Sequence, residues 1–438
     1  MYELIKQVCW PTSEEKATDQ LQADASNALL SQAESLVRGL IERLDQNAEK
    51  AMLDFVQQAL CVMLRLKEMS PSLLTKIVCH PTFNYWVKAM RRCQKPEHQV
   101  HLHDLLPRAA DFMWPFEVMT RTPSRTWNTL TDDKGGLRCP VLKCFVEFGP
   151  QWANSPVSIT PEEHNVCILL GNYNINLPYD VFLDDLQDKP SMVYQHDEIC
   201  VKVARAPTLS DKEIEVWSRD QWLRVHFTGT QQRQTGIELF GNDNDWFPES
   251  VDTEPYLHAL ILLQHYWPEA YSELGKFTQV IVPMVSKFET ETRLAFTVSS
   301  RQGAIFIDGG KPYDLVDNIL HETAHIKLRQ IQLLDPLLVD AHQDQPRFEV
   351  PWRRDPRPLP GILEGIFVFS HVAEFERRMC ESESLAKRDK LITTITNLKH
   401  GLKLLQQHAE MTMVGRVFLQ EMADHIARID LASAKKSA

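Results

Sequence analysis

The sequence predicts an α+β protein, mostly helical, with a β-rich middle section and a C-terminal half built around one long amphipathic helix. Three observations carry that expectation. Apolar residues recur at three- and four-residue spacing from residue 13 to about 110. Short β-rich runs bounded by Gly, Pro, Asn and Asp fill residues 136–250. From Val251 the pattern becomes helix, three strand candidates, then long helices. With 438 residues, 43% hydrophobic and 24% charged, the chain has the makeup of a soluble globular protein of two or three domains. The expected division is a helical region over 1–135, a β-rich region over 136–250 and a C-terminal region over 251–438.

In the first region Leu29, Leu30, Ala33, Leu36, Val37, Leu40, Ile41 and Leu44 mark one helical face, and Ala51 to Met69 a second. Prolines at 71, 81, 96, 107, 115 and 123 then cut the chain into short helices and turns. Strand candidates in the middle are residues 141–148, 165–170, 199–204, 222–227 and 237–240. Thr253-Glu-Pro opens a helix through Leu257 to Leu274, followed by strand candidates over 279–282, 294–298 and 304–307. Gly309-Gly310-Lys-Pro312 turns into a helix over about 314–334. A Pro- and Asp-rich loop (335–360) leads to a helix over about 361–379, and helical residues continue over about 385–431.

Lys and Arg number 47 against 59 Asp and Glu, a net charge of −12. Such a surface disfavours non-specific nucleic-acid binding and anionic membranes. The N-terminus lacks a basic, then apolar, signal pattern, and no apolar run reaches the ~18–20 residues that span a bilayer. Nine scattered cysteines without a CxxC pair read as reduced thiols in a cytoplasmic protein.

One motif carries chemistry. His321-Glu322-Thr-Ala-His325 is an HExxH string, which this composition produces by chance in about one chain in thirty. Leu315, Ile319, Ile326 and Leu328 place it in an amphipathic helix, where residues four apart share a face and two imidazoles reach one cation. Two histidines packed on a helix without metal is the plainer alternative. The order helix, strands, HExxH helix is that of a zincin-like half-domain. A third ligand is expected from the next helix. Glu364 lies on its apolar face, where a charge is costly unless paired or bound to metal. His371 competes for the place, and a salt bridge to arginine is the alternative for Glu364. Two histidines and a carboxylate serve zinc hydrolases and non-haem Fe(II) oxygenases alike.

Between these helices runs Pro351-Trp-Arg-Arg-Asp-Pro-Arg-Pro-Leu-Pro-Gly361, stiffened by its prolines. A guanidinium on a stiff loop beside a metal site suits a carboxylate clamp. Arg357, between two prolines, is the candidate grip for the distal carboxylate of 2-oxoglutarate, with Arg353 and Arg354 read as solvated surface.

His321-Glu-x-x-His325 followed by Trp352-Arg-x-Asp-Pro-Arg-Pro-x-x-Gly361 resembles the HExxH-type 2-oxoglutarate-dependent peptide β-hydroxylases, which act on ribosomally made precursor peptides. The likeness covers about 300–380, is weaker over 251–410, and leaves the first 250 residues almost untouched. It implies iron on the two histidines and a residue of the downstream helix, 2-oxoglutarate and O₂ as co-substrates, and a precursor peptide as partner. Many members carry Leu-His-Gly where this chain has Leu363-Glu364-Gly365. In this reading Glu322 holds a histidine or water in place, and an exposed strand among 279–307 pairs with the peptide. The competing enzyme is an HExxH…Glu zinc peptidase, in which Glu322 activates the metal-bound water. A helical binding or scaffold protein is the third class.

Overall fold

The computed structural model describes residues 1–438 except 14, 44–49, 140–141, 184–190, 197, 210, 212–213, 217–221, 224–225, 228–236, 239–246, 249–250, 285–294, 340–346, 383–387 and 436–438. Parts of several expected elements fall outside the described residues: Leu44, Val141, Arg224, Val225, Leu239, Phe240, Leu294 and Leu385. The rest is an α+β chain, mainly helical, with sheets through its middle.

The N-terminal region contributes long helices over Glu15–Arg43 and Lys50–Lys67, then shorter ones including Pro71–Val78 and Pro81–Arg92. Each of the shorter pair begins on proline, whose missing N–H costs nothing in a first turn. Two four-stranded antiparallel sheets follow. One is ordered Trp127–Leu130, Pro156–Pro161, Asn165–Leu170, Tyr173–Pro178; the other Gly136–Cys139, Cys144–Glu147, Ile199–Arg205, Ser191–His196. The open side of Trp127–Leu130 is met by Gln58 of the Lys50–Lys67 helix. Its amide donates to the Asn128 carbonyl at 2.7 Å and accepts from the Asn128 N–H at 2.9 Å.

A third, mixed sheet runs Ala295–Thr297, Ala304–Asp308, Val280–Met284, Ile214–Val216, Thr208–Leu209. Val280–Met284 is parallel to both its neighbours, whereas Ala295–Thr297 pairs antiparallel and, among the described residues, forms an edge. All five residues of Val280–Met284 and of Ala304–Asp308 are buried, as expected of parallel strands covered on both faces. This sheet crosses residue 250, so strands from the middle region extend that of the C-terminal region.

The helix Pro312–Leu334 packs against Glu15–Arg43, Glu254–Tyr266, Leu359–Ser382 and the strands Ala295–Thr297 and Ala304–Asp308. Surrounded in this way, it nevertheless buries a charge. Lys327, 1% exposed, places its ammonium 2.8 and 2.9 Å from the two Glu273 carboxylate oxygens. Glu273 also accepts from the Thr18 hydroxyl at 3.1 Å, which ties the N-terminal helix to the same pair.

One helix expected as continuous is broken, and the C-terminal helical stretch resolves into two. The run Leu257–Leu274 is split into Glu254–Tyr266 and Pro268–Phe277, because Pro268 has no N–H to continue the ladder and drives Trp267 to φ −144°, ψ 72°. The C-terminal stretch divides into Arg388–His408 and Met413–Lys435. Between them Met411 bridges Leu338, and main-chain bonds join Val339 to Glu410 and Thr412 to Leu337.

Replacing Glu273 by Leu strands the buried Lys327 ammonium and is expected to cost about 3–5 kcal/mol in urea unfolding. Adding Lys327→Met should return most of that loss. A single variant within about 1 kcal/mol of wild type would contradict this account.

Candidate functional site

His321, Glu322 and His325 lie mid-way along the Pro312–Leu334 helix, with Arg329 one turn further on. The two imidazole centroids are 5.0 Å apart, the planes at 68°. Both rings are deep in the molecule yet keep part of their surface, and Arg329 and Glu364 are likewise partly exposed. Deep groups with residual surface line a recess rather than the solid core. Burial lowers the His321 pKa to about 4. It lowers His325 to about 2, helped by repulsion from His321 and Arg329. Both rings are therefore neutral with lone pairs available, and the His325 Nδ1 has no hydrogen-bond partner.

Glu322 is 3% exposed, and burial pushes its carboxyl up to about 8, with the Glu364 charge adding to the rise. Arg329 and hydrogen bonding from the hydroxyl and main chain of Thr297 act against it, while Oε2 keeps no partner. Thr297 belongs to the edge strand Ala295–Thr297, so the sheet meets the motif helix at Glu322. Phe369, from the helix Leu359–Ser382, sets its ring edge against His321 at 4.9 Å. Trp352 sits 6.0 Å from Phe369 and wedges against two glycines. A Cβ on Gly365 would lie 2.8 Å from its indole nitrogen, and one on Gly401 2.6 Å from its ring, so only glycine admits this approach.

Glu364 acts electrostatically on Glu322 and Arg329. His371 is buried on the same helix as Glu364, with its Nε2 unpartnered and His321 in electrostatic reach. Its Nδ1 donates to the Phe367 carbonyl at 2.9 Å, and its ring packs 5.0 Å from Trp10 and 4.6 Å from Phe367. Trp10 in turn stacks on His425 at 3.6 Å. Arg357 lies over Gly361, its Nε 3.2 Å from where a Cβ would stand, and bonds Asp355 at 3.3 Å. Its main chain is stapled to Phe348. Arg353 and Arg354 are exposed, in keeping with solvated surface.

The fold thus brings His321, Glu322 and His325 together with Glu364 in electrostatic reach. Among the described residues no three His, Cys, Asp or Glu side chains converge as a metal-holding group. Sequence reasoning missed Arg329 and Thr297. Arg329 was accessible as the i+4 neighbour of His325, but Thr297 joins the site only through sheet packing. A separate groove of about 730 Å³ runs between the Lys50–Lys67 helix and the first sheet, lined by Phe55, Gln58 and Trp152. It shares no lining residue with the histidine recess. No protein-family model matches the chain, and no curated protein matches it. No helix among the described residues is long and apolar enough to cross a membrane.

Burial lowers His425 from 6.5 to about 4, with Arg428, Arg377 and Arg378 opposing its protonation and Glu374 favouring it. Between those values the unfolded chain takes up a proton that the folded chain refuses, so stability falls as pH drops from 6.5 toward 4. His425→Phe should flatten this slope by up to about 1.4 kcal/mol per pH unit, read from urea unfolding at successive pH values.

Proposed function

We propose that the chain is a non-haem Fe(II)- and 2-oxoglutarate-dependent oxygenase that hydroxylates a side chain of a ribosomally made peptide, at Cβ. The helix, sheet and HExxH arrangement is taken as zincin-like. One observation carries the reading: two neutral imidazoles one helical turn apart in a recess, one with an unused buried ring nitrogen. Neutral imidazole is the ligand form that divalent transition metals require. His321 and His325 would hold the ion, and Glu364, whose charge already acts beside them, is the third donor. Bound there, Fe(II) supplies with 2-oxoglutarate the O₂ chemistry that puts one oxygen atom into a C–H bond and releases succinate and CO₂.

The protein's own contribution is orientation and exclusion of water. Phe369 and Trp352 form an aromatic wall on the His321 side. Glu322, drawn toward Thr297, positions the histidine pair rather than serving as a free base. A guanidinium beside the recess would hold the distal carboxylate. Apart from the Thr297 main-chain group that bonds Glu322, the edge strand Ala295–Thr297 would offer its main chain to an extended peptide, a recognition mode that needs no preformed pocket. A cytoplasmic site of action fits a ribosomally made precursor peptide as substrate.

The second reading is a zinc peptidase, favoured by the unpartnered Glu322 Oε2, which would take a proton from a bound water. Purification without oxygen followed by metal analysis separates the two. Near-stoichiometric iron binding with 2-oxoglutarate-dependent succinate release is expected, and His321→Ala should weaken metal binding on the order of 100-fold. Zinc with a shortened peptide would establish the peptidase instead. No bound metal from either purification or reconstitution would end both readings.

A further inference from the structure

Arg329 faces the recess with no carboxylate in ion-pair contact among the described residues. Its Nη1 donates to the Thr297 hydroxyl at 3.2 Å, which uses one of five guanidinium donors. Glu322 and Glu364 act on it from beyond ion-pair distance. Lys88, from the helix Pro81–Arg92, stands near enough for the Arg329 charge to act on it and is itself half-buried. Two cations within electrostatic reach of each other in a partly desolvated place repel and lose hydration, an arrangement made favourable by a bound anion. If Glu364 is engaged by the metal, as the reading above has it, the local excess of positive charge grows.

Position adds direction. Arg329 is four residues beyond His325 on one helix, so its side chain projects from the same face about one turn away, roughly 6 Å along the axis. A ligand gripped there would present its other end to the two imidazoles. Arg357 likewise spends one donor, on the exposed Asp355, but it lies over Gly361 on another element and not along the helix of the two histidines.

We propose that Arg329, backed by Lys88, forms a carboxylate-binding subsite one helical turn from His325, in place of Arg357. The recess itself does not depend on the oxygenase reading, but the identity of the physiological carboxylate does: the distal group of 2-oxoglutarate, or an acidic side chain of the peptide.

The test uses full-length protein stripped of metal, so that binding is read without catalysis. Isothermal titration with glutarate, 2-oxoglutarate, a blocked glutamate-containing peptide and the neutral diamide of glutarate compares wild type with Arg329→Gln, Arg329→Lys, Lys88→Gln and Arg357→Gln. Wild type should bind carboxylates but not the diamide. Arg329→Gln should weaken that binding at least ~10-fold, Lys88→Gln several-fold, and Arg329→Lys less than Arg329→Gln, because charge survives without the planar fork. Arg357→Gln should bind as wild type. Preference for glutarate and 2-oxoglutarate marks the co-substrate as source, and preference for the acidic peptide marks the substrate. A folded Arg329→Gln (circular dichroism as wild type) with unchanged affinity overturns the proposal, as does a wild type that binds no carboxylate. Should Arg329→Gln misfold, Arg329→Lys and Lys88→Gln decide, and unchanged affinity in both overturns it. Carboxylate binding without iron-dependent succinate release would sink the oxygenase reading alone; the reverse would sink this subsite alone.

Discussion

A helix covered on every side can be built from apolar residues alone, but Pro312–Leu334 is not. It carries Lys327 into the interior, and the ammonium is tolerated because Glu273 meets it with both oxygens and Thr18 supports Glu273 from the N-terminal helix. Removing an ion from water costs several kcal/mol, and only close pairing returns it. The register of three segments distant in sequence follows from this one contact. The face of the helix opposite the pair is then fixed, and with it the direction of His321 and His325.

That fixed face explains how one helix serves two purposes. Its core side is held by packing and the buried pair, so its recess side can carry groups that packing would reject: two neutral imidazoles, a carboxyl driven to hold its proton and a guanidinium. The edge strand Ala295–Thr297 and the helix Leu359–Ser382 close the recess from two directions through Thr297 and Phe369. Trp352 wedges between two helices where glycine alone leaves room, and so positions the wall that Phe369 presents.

Much of this was legible before any coordinates. The pairing of His321 with His325 follows from helical geometry, and the helix itself from its apolar period. The buried strands Val280–Met284 and Ala304–Asp308 announced themselves as short apolar runs. The strands Trp127–Leu130, Pro156–Pro161 and Tyr173–Pro178 did not, because polar residues and terminal prolines mask a period-two pattern only four to six residues long. They exist through pairing with neighbours that local sequence does not contain. For the same reason Thr297 was invisible as a partner, whereas Arg329 stood in plain view one turn beyond His325 on the motif helix.

Gln58 has a wider effect than its two hydrogen bonds suggest. By meeting both main-chain groups of Asn128, its side-chain amide imitates the next residue of a sheet and ends the ladder there. An uncapped border of this kind recruits strands from other copies and seeds aggregates. The helix that carries Gln58 therefore acts as a stopper, keeping the first sheet finite in a crowded solution of identical chains.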